Sequence, residues 1–286
     1  MAAKEKMKSE RKEMLTVARK SLENKETIMN GIVQQLCKVQ SCDEVVAETF
    51  LLRFASPEIT ASAKPGQFVN VLAAETGKGP LLRRPFSIAR VDNDIVELLF
   101  HAVGAGTILL SQKQHGDMID VLGPLGQSFR VDADYDTALI VAGGIGVAPF
   151  PFLTTDLLKR GKRIETFVGY RNAGQILTSH LQNIHIATDD GSTGFHGNVV
   201  QLFEPFLDRT ELGKVKIFAC GPTVMLKALA GLAKRKNICC EVSLEGHMAC
   251  GVGLCQGCPV ERTGDGAKYA LVCKDGPIFL TTDIIL

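Results

Sequence analysis

This chain of 286 residues has almost no net charge: 32 Lys and Arg stand against 31 Asp and Glu, leaving a formal +1. Without a global field of either sign it carries no electrostatic footprint for nucleic acid or for an anionic membrane surface, so recognition must be local. Long apolar runs are also missing. The one stretch of that kind, Ala138 to Leu153, is broken by Gly143, Gly144, Gly146, Pro149 and Pro151, whereas a membrane span needs about 20 mostly apolar residues. A strand, a turn and a helix start account for it instead. There is no internal repeat and no low-complexity tract. The six histidines show no metal-like pairing, and neither a Ser-His-Asp nor a paired-carboxylate arrangement can be traced, so hydrolytic chemistry has no support. No secretory signal is evident. With nine cysteines present, the expectation is a cytoplasmic protein without a membrane anchor, in a reducing compartment where thiols stay available for metal.

What the sequence does have is concentrated near its C-terminus, which reads Cys250-Gly-Val-Gly-Leu-Cys255-Gln-Gly-Cys258, with Cys273 following after fourteen intervening residues. This is the plant-type Cys-x4-Cys-x2-Cys…Cys spacing that holds a [2Fe-2S] cluster. Two sulfide-bridged irons each need two further ligands, and soft thiolates suit them. Gly251, Gly253 and Gly257 lie between the ligands and let the backbone curl tightly, bringing N–H groups near the sulfurs. Zinc and a disulfide framework are the competing readings. Zinc sites usually pair two Cys-x2-Cys units, and only Cys255/Cys258 forms one here. Disulfide frameworks belong to small secreted chains. Cys37, Cys42, Cys239 and Cys240 have no ligand spacing and read as packing residues.

The rest of the chain divides by texture. Residues 1–30 are a charged tail with no assigned chemistry. Residues 31–132 hold short runs punctuated by Gly, Pro and Asp, at Glu48 to Phe54, Gln67 to Leu72, Phe86 to Arg90, Ile95 to Val103 and Asp117 to Leu122. They predict an antiparallel barrel, for which six strands suffice, ending near Val131. Over residues 133–238 the period shifts. Thr137 to Ala142 is a continuous apolar strand, Gly143 to Pro149 a Gly-rich turn, Phe150 to Arg160 a helix and Ile164 to Tyr170 another buried strand. This is a βαβ unit. A further strand, Val215 to Ala219, leads into Cys220-Gly221-Pro222 and a helix to about Arg235, so the domain is expected to be doubly wound α/β. Residues 239–286 form the cluster segment and finish in the strand-like Pro277 to Leu280. The fold class is therefore α+β multidomain.

Three further motifs carry chemistry. Arg84-Pro85-Phe86-Ser87 puts a cation able to grip phosphate and a hydroxyl on one short strand; a surface Arg followed by an edge strand is the plainer account. Gly104-Ala-Gly106-Thr107 is a strand-to-helix turn whose N–H groups and Thr hydroxyl suit a second phosphate contact. Gly123-Pro124-Leu125-Gly126 reads as a structural turn. In the α/β part, Gly143 to Pro149 follows a strand and opens a helix, the context of a dinucleotide phosphate site, although it departs from Gly-x-Gly-x-x-Gly. Cys220 is either at a ligand site, at the end of a parallel strand, or a buried structural thiol. Arg171 is either a contact for a 2′-phosphate or a surface charge, which leaves NAD and NADP both open.

In this order the motifs resemble the ferredoxin reductase superfamily, and within it the electron-transfer subunits of NAD-dependent, type B dihydroorotate dehydrogenases. The likeness runs from about residue 31 to the end. It implies an FAD-binding β-barrel, an NAD-binding α/β domain and a C-terminal [2Fe-2S] segment. Arg84, Pro85, Phe86, Ser87, Leu99, Phe100, His101, Gly106 and Thr107 would then hold FAD, and Gly144, Gly146, Pro149, Cys220, Gly221 and Pro222 would face NAD. Cys250, Cys255, Cys258 and Cys273 would ligate the cluster. No residue is assigned a catalytic role. The partner implied is an FMN-containing catalytic subunit, in a heterotetramer, with no nucleic acid and no membrane. Phe86 stands where relatives often have Ile or Tyr, and Glu245-Gly246-His247 is an unusual lead into the cluster loop. An NAD(P)H-ferredoxin or sulfide oxidoreductase subunit has the same architecture, but its first cluster ligand is often Asp, where this chain has Cys250. A redox-sensing module that binds flavin and cluster without turnover is a third reading, opposed by the intact dinucleotide loop.

Overall fold

The structure is a computed structural model and describes residues 26–28, 31–73 and 79–286. The charged tail and its expected solvated character lie almost wholly outside the described residues. The first half forms β1 (Glu26–Ile28), β2 (Ile32–Val46), β3 (Thr49–Ala55), α1 (Pro57–Ser62), β4 (Phe68–Leu72), β5 (Arg84–Asp92), β6 (Ile95–His101), α2 (Ala105–Ser111) and β7 (Met118–Leu125). The strands run in the order β2-β3-β6-β5-β4-β7, and β7 pairs back onto β2, closing a six-stranded antiparallel barrel. Alternation along each strand fills it: Val33, Cys37 and Val39 from β2, Leu52 and Phe54 from β3, and Val69 and Val71 from β4 share one buried core. Closure removes the exposed edges that an open sheet of this kind would present.

The second half contains β8 (Thr137–Gly143), α3 (Phe150–Lys159), β9 (Arg163–Tyr170), β10 (Ile184–Thr188), β11 (Phe195–His196), α4 (Val199–Phe203), β12 (Val215–Cys220), α5 (Thr223–Lys236), β13 (Cys239–Ser243), β14 (Pro259–Glu261), β15 (Tyr269–Leu271) and β16 (Ile278–Leu280). The main sheet has the order β11-β10-β9-β8-β12-β13-β16, parallel except for β16. Both faces of β8 are covered, which is why it reads as an unbroken apolar run. Leu139 and Val141 share a core with α4 and α5, while Ala138, Ile140 and Ala142 share one with α3.

The structure departs from the sequence expectations in three places. A fifteen-residue strand, β2, completes the barrel where no run stood out. Its polar residues alternate outward, and register shifts at Val39/Ser41 and Glu44/Val46 blur the period. Gly123 to Leu125 is the end of β7, with only Gly126 beyond it, because Gly123 and Leu122 pair with β2. The α/β sheet also continues past residue 238: β13 pairs in parallel with β12, and β16 adds antiparallel to β13. The C-terminal segment is thus woven into the sheet.

A buried ion pair fixes the exit from the barrel. Lys216 on β12 and Glu241 on β13 are 2% and 0% exposed. The Lys216 ammonium lies 3.2 Å from the Glu241 carboxylate and donates to the Arg130 carbonyl at 2.6 Å. The Arg130 backbone N–H donates to Glu241 at 3.0 Å. Lys216→Met is expected to lower stability by roughly 3 kcal/mol, because it leaves a buried carboxylate without its main counter-charge. Adding Glu241→Gln should recover part of that loss. Urea unfolding checks both, and a single variant as stable as wild type would contradict the role given to the pair.

Candidate functional site

The parallel strands run in the spatial order β10-β9-β8-β12-β13, so chain direction across the sheet reverses between β8 and β12. A crevice at such a switch point, beyond the carboxyl ends of the strands, is where ligands of open α/β sheets bind. Two of the sequence motifs meet there. Gly144 takes φ +55 and begins a short 3-10 turn, Gly144–Val147, that leads through Ala148 and Pro149 into α3. A Cβ on Gly146 would lie 2.6 Å from the Cys220 carbonyl carbon and 2.7 Å from Gly221 Cα, so only glycine lets the two loops touch. Gly143 packs in the same way against Pro222, where an added Cβ would stand 2.8 Å from the ring.

The barrel motifs converge as well. A Cβ on Gly106 would sit 3.3 Å from the Arg84 side chain, which brings Arg84 and the Gly104–Thr107 turn side by side. The Thr107 hydroxyl closes the N-terminus of α2: it accepts from the Val103 and Gly104 N–H groups and donates to the Gly104 carbonyl, each at 3.0 Å. Arg84 donates to the Leu82 carbonyl at 2.9 Å. Phe86 and Phe100 pack ring to ring at 5.3 Å within the barrel core.

Between barrel and sheet lies a cleft of about 350 Å³. Pro85, Phe86, Ser87, Leu99, Phe100 and His101 line it from the barrel, and Pro149 and Cys220 from the α/β sheet, whereas Arg84, Gly106, Thr107, Gly144, Gly146, Gly221 and Pro222 stand outside its lining. A largely apolar slot with a few polar groups suits a flat ring system. The His101 ring nitrogen Nδ1 is 2.8 Å from the Thr49 hydroxyl. Burial pushes the Cys220 thiol up to about 12, helped by the Glu245 charge and opposed by Ser243, so it stays protonated at neutral pH. Sequence reasoning missed Ser243 and Glu245 as lining residues. Ser243 lies beside Cys220 at the end of β13, a position that becomes visible only once β13 is known to join the sheet. Desolvation raises the Glu245 carboxyl above its ordinary pKa, and His101 opposes the rise.

The four cysteines of the C-terminal motif come together in two pairs. The Cys255 N–H donates to Cys250 Sγ at 3.4 Å, and the Cys273 N–H donates to Cys258 Sγ at 3.4 Å. The Gly253 N–H reaches Cys273 Sγ at 3.2 Å and ties the two pairs together. Cys258 and Cys273 are buried, Cys250 is half-buried and Cys255 is exposed, and no disulfide forms among the described residues. No three His, Cys, Asp or Glu among the described residues converge on one ion. Two pairs of thiols are the set a binuclear group takes, two to each iron. Desolvation works to raise the Cys250 pKa, yet hydrogen bonds from the Cys255, Val252 and Leu254 backbone outweigh it and hold the thiol at about 6. Cys273 goes the other way, to about 12, through burial and its neighbour Cys258.

With this geometry in view, comparison with known proteins is decisive. Residues 245–285 match the family described as the iron-sulfur cluster binding domain of dihydroorotate dehydrogenase B. The chain is 36% identical over 256 residues to the electron transfer subunit of dihydroorotate dehydrogenase B (NAD(+)) of Desulforamulus reducens, covering 87% of this chain and 97% of the relative. It belongs to the dihydroorotate dehydrogenase B electron transfer subunit family. The Enterococcus faecalis member is 35% identical over 88% of this chain and 98% of its own length. Among solved structures, the NADH-dependent reduced ferredoxin-NADP oxidoreductase, described in the context of flavin-based electron bifurcation, superposes with a TM-score of 0.77 at 29% identity, covering 87% of this chain and 89% of the other. The ferredoxin reductase of carbazole 1,9a-dioxygenase shares the fold, with a TM-score of 0.60 at 19% identity over 72% of this chain and 67% of its own. Among the described residues no helix is long and apolar enough to cross a membrane.

The contact between the two glycine loops of the family's α/β sheet is directly testable. Gly146→Ala should destabilise the protein by roughly 1–3 kcal/mol, since its methyl group meets backbone rather than a side chain that could turn away. Thermal unfolding measures the loss, and an unchanged midpoint would show that the loops can separate freely.

Proposed function

We propose that this chain is the output half of a dihydroorotate-oxidising enzyme of pyrimidine (UMP) biosynthesis, carrying electrons from the FMN of a catalytic partner chain through a [2Fe-2S] cluster and FAD to NAD+. The observation that carries this reading is the placement of a paired four-cysteine loop beside a cleft that opens at the switch point of an α/β sheet. When bound, flavin supplies the exchange between single electrons and the electron pair that nicotinamide requires.

The residues present fit these groups. Cys250 with Cys255, and Cys258 with Cys273, would each hold one iron, and the backbone N–H groups already aimed at three of these sulfurs would stabilise negative charge there. Arg84, steadied beside Gly106, would grip a flavin phosphate. Ser87, Leu99 and His101 would line the ring, with Phe86 and Phe100 forming the floor. Thr107 would contribute by holding the turn in shape through its cap. Gly144, Gly146, Pro149, Cys220, Gly221 and Pro222 would shape the NAD site by allowing close backbone approach. Leu254, 81% exposed between Cys250 and Cys255, and the part-exposed Val252 give the loop an apolar tip. A catalytic partner docking there would shield the cluster from water, in a heterotetramer of two chains of each kind in the cytoplasm.

The likeness to the ferredoxin-NADP oxidoreductase supports the other reading, an NAD(P)H-ferredoxin or sulfide oxidoreductase subunit, which would use the same cleft and loop with a different electron donor.

Two variants test the assignment. Cys255→Ser should lose most of the visible and EPR signal of the cluster while keeping FAD, because the thiolates and the flavin-side residues lie on separate elements; a full cluster spectrum would remove Cys255 from the ligand set. Arg84→Ala should keep the cluster but bind FAD about ten- to a hundredfold more weakly, the equivalent of lost charge-assisted hydrogen bonds. Undiminished FAD content after dialysis would count against the phosphate role.

A further inference from the structure

One strand, β4, touches both the flavin cleft and the cysteine loop. Alternation along β4 sends Val69 and Val71 into the barrel core and turns Phe68 and Asn70 outward. Phe68 lines the cleft and also belongs to the buried apolar core that contains Cys258 and Cys273. Asn70, two positions along, is 1% exposed. Its Nδ2 donates to the Cys250 carbonyl at 3.3 Å, across 180 residues of sequence.

The same carboxamide fills the space beside Gly251. That glycine takes φ +71, and a Cβ added there would overlap the Asn70 amide nitrogen and lie 2.9 Å from its Cγ. The loop is therefore seated directly on Asn70. The Asn70 main chain is anchored as well: its backbone carbonyl accepts from the Arg83 guanidinium at 3.5 Å, and Arg83 is paired with Asp120 at 2.6 Å. Asn70 stands opposite Pro85 of the flavin-side motif in the β4–β5 ladder.

An apolar side chain would be the stable choice at so buried a position. Instead the Asn70 Oδ1 is buried with no hydrogen-bond partner among the described residues, a half-satisfied polar group that costs stability. The only side-chain hydrogen bond that Asn70 makes among those described goes to the backbone of the first cysteine.

We propose that Asn70 is a positioning residue for electron transfer: its carboxamide clamps the Cys250–Gly251 end of the cluster loop to the wall of the flavin cleft and so sets the separation and orientation of cluster and flavin. This rests on the cofactor assignment made above.

The test uses the full chain purified anaerobically with its cofactors, as wild type, as Asn70→Ala and as the near-isosteric Asn70→Asp, which keeps the shape but loses the donor. FAD and iron per chain, the EPR spectrum of the reduced cluster, hydrogen exchange over residues 248–257, and the rate of cluster bleaching after NADH has reduced the flavin are measured on each. Both variants should retain FAD and be reduced by NADH at the flavin as wild type is. Exchange near Cys250 should accelerate, the EPR line shape should change, and cluster bleaching should slow by about tenfold or more, as a small misplacement of reacting groups does. A merely structural role would move neither the line shape nor the bleaching rate of a folded, loaded variant. If Asn70→Asp is loaded and matches wild type in exchange, EPR and bleaching, the role of Asn70 is overturned while the cofactor assignment stands. If wild type itself holds no [2Fe-2S] cluster, the assignment falls and this proposal falls with it.

Discussion

The short ladder between β13 and β16 is the interaction on which the rest of the structure depends. Glu241, Val242 and Ser243 pair with Leu280, Phe279 and Ile278, and β13 is at the same time the parallel neighbour of β12. Everything between these two strands, including all four motif cysteines, is therefore a loop closed at both ends on the α/β sheet. The loop is then fastened to the barrel. The Gln127 N–H donates to the Gly276 carbonyl at 2.6 Å, its side chain donates to the Lys274 carbonyl at 3.2 Å, and Asn70 holds Cys250. A chain that moves electrons between groups needs fixed separations, and this stitching supplies them without a separately folded third domain.

Glycine makes the close approaches possible. Gly126, at φ +75, lies against Phe68 and Pro277 where a Cβ would stand within 2.9 Å of both. Gly66, at φ +94, meets Ile278 and Phe129 at the same range. These contacts, like that of Gly146 with the Cys220–Gly221 backbone, bring the barrel, the sheet and the cysteine segment onto one cleft. They also explain why the site draws on residues from so many parts of the chain: its walls are the places where backbones touch.

Much of this was legible in the sequence, for identifiable reasons. Strand β8, buried on both faces, announces itself as a continuous apolar run, and the cysteine spacing is set by the geometry of two irons. Strand β2 was not legible, because its inward Val33, Cys37 and Val39 are spaced through polar residues and interrupted by irregular register. Strand β13 was hidden by its shortness and by two cysteines that suggested no element. The capping role of the Thr107 hydroxyl was not legible either, because it depends on the turn closing on itself at the start of α2. Ser243, Glu245 and Asn70 escaped for another reason: each acquires its place from a tertiary contact that no local pattern encodes.

On the proposed function, electrons from dihydroorotate leave through this chain as NADH. The most direct measurement is to purify the tagged chain anaerobically with its natural partners, add dihydroorotate, and follow flavin and cluster absorbance together with NADH formation. Bleaching of both chromophores followed by NADH, on addition of NAD+, is the result predicted. A spectrum that stays oxidised with dihydroorotate but bleaches with NADH or NADPH would contradict the claim and assign the same cleft and cysteine loop to a different electron donor.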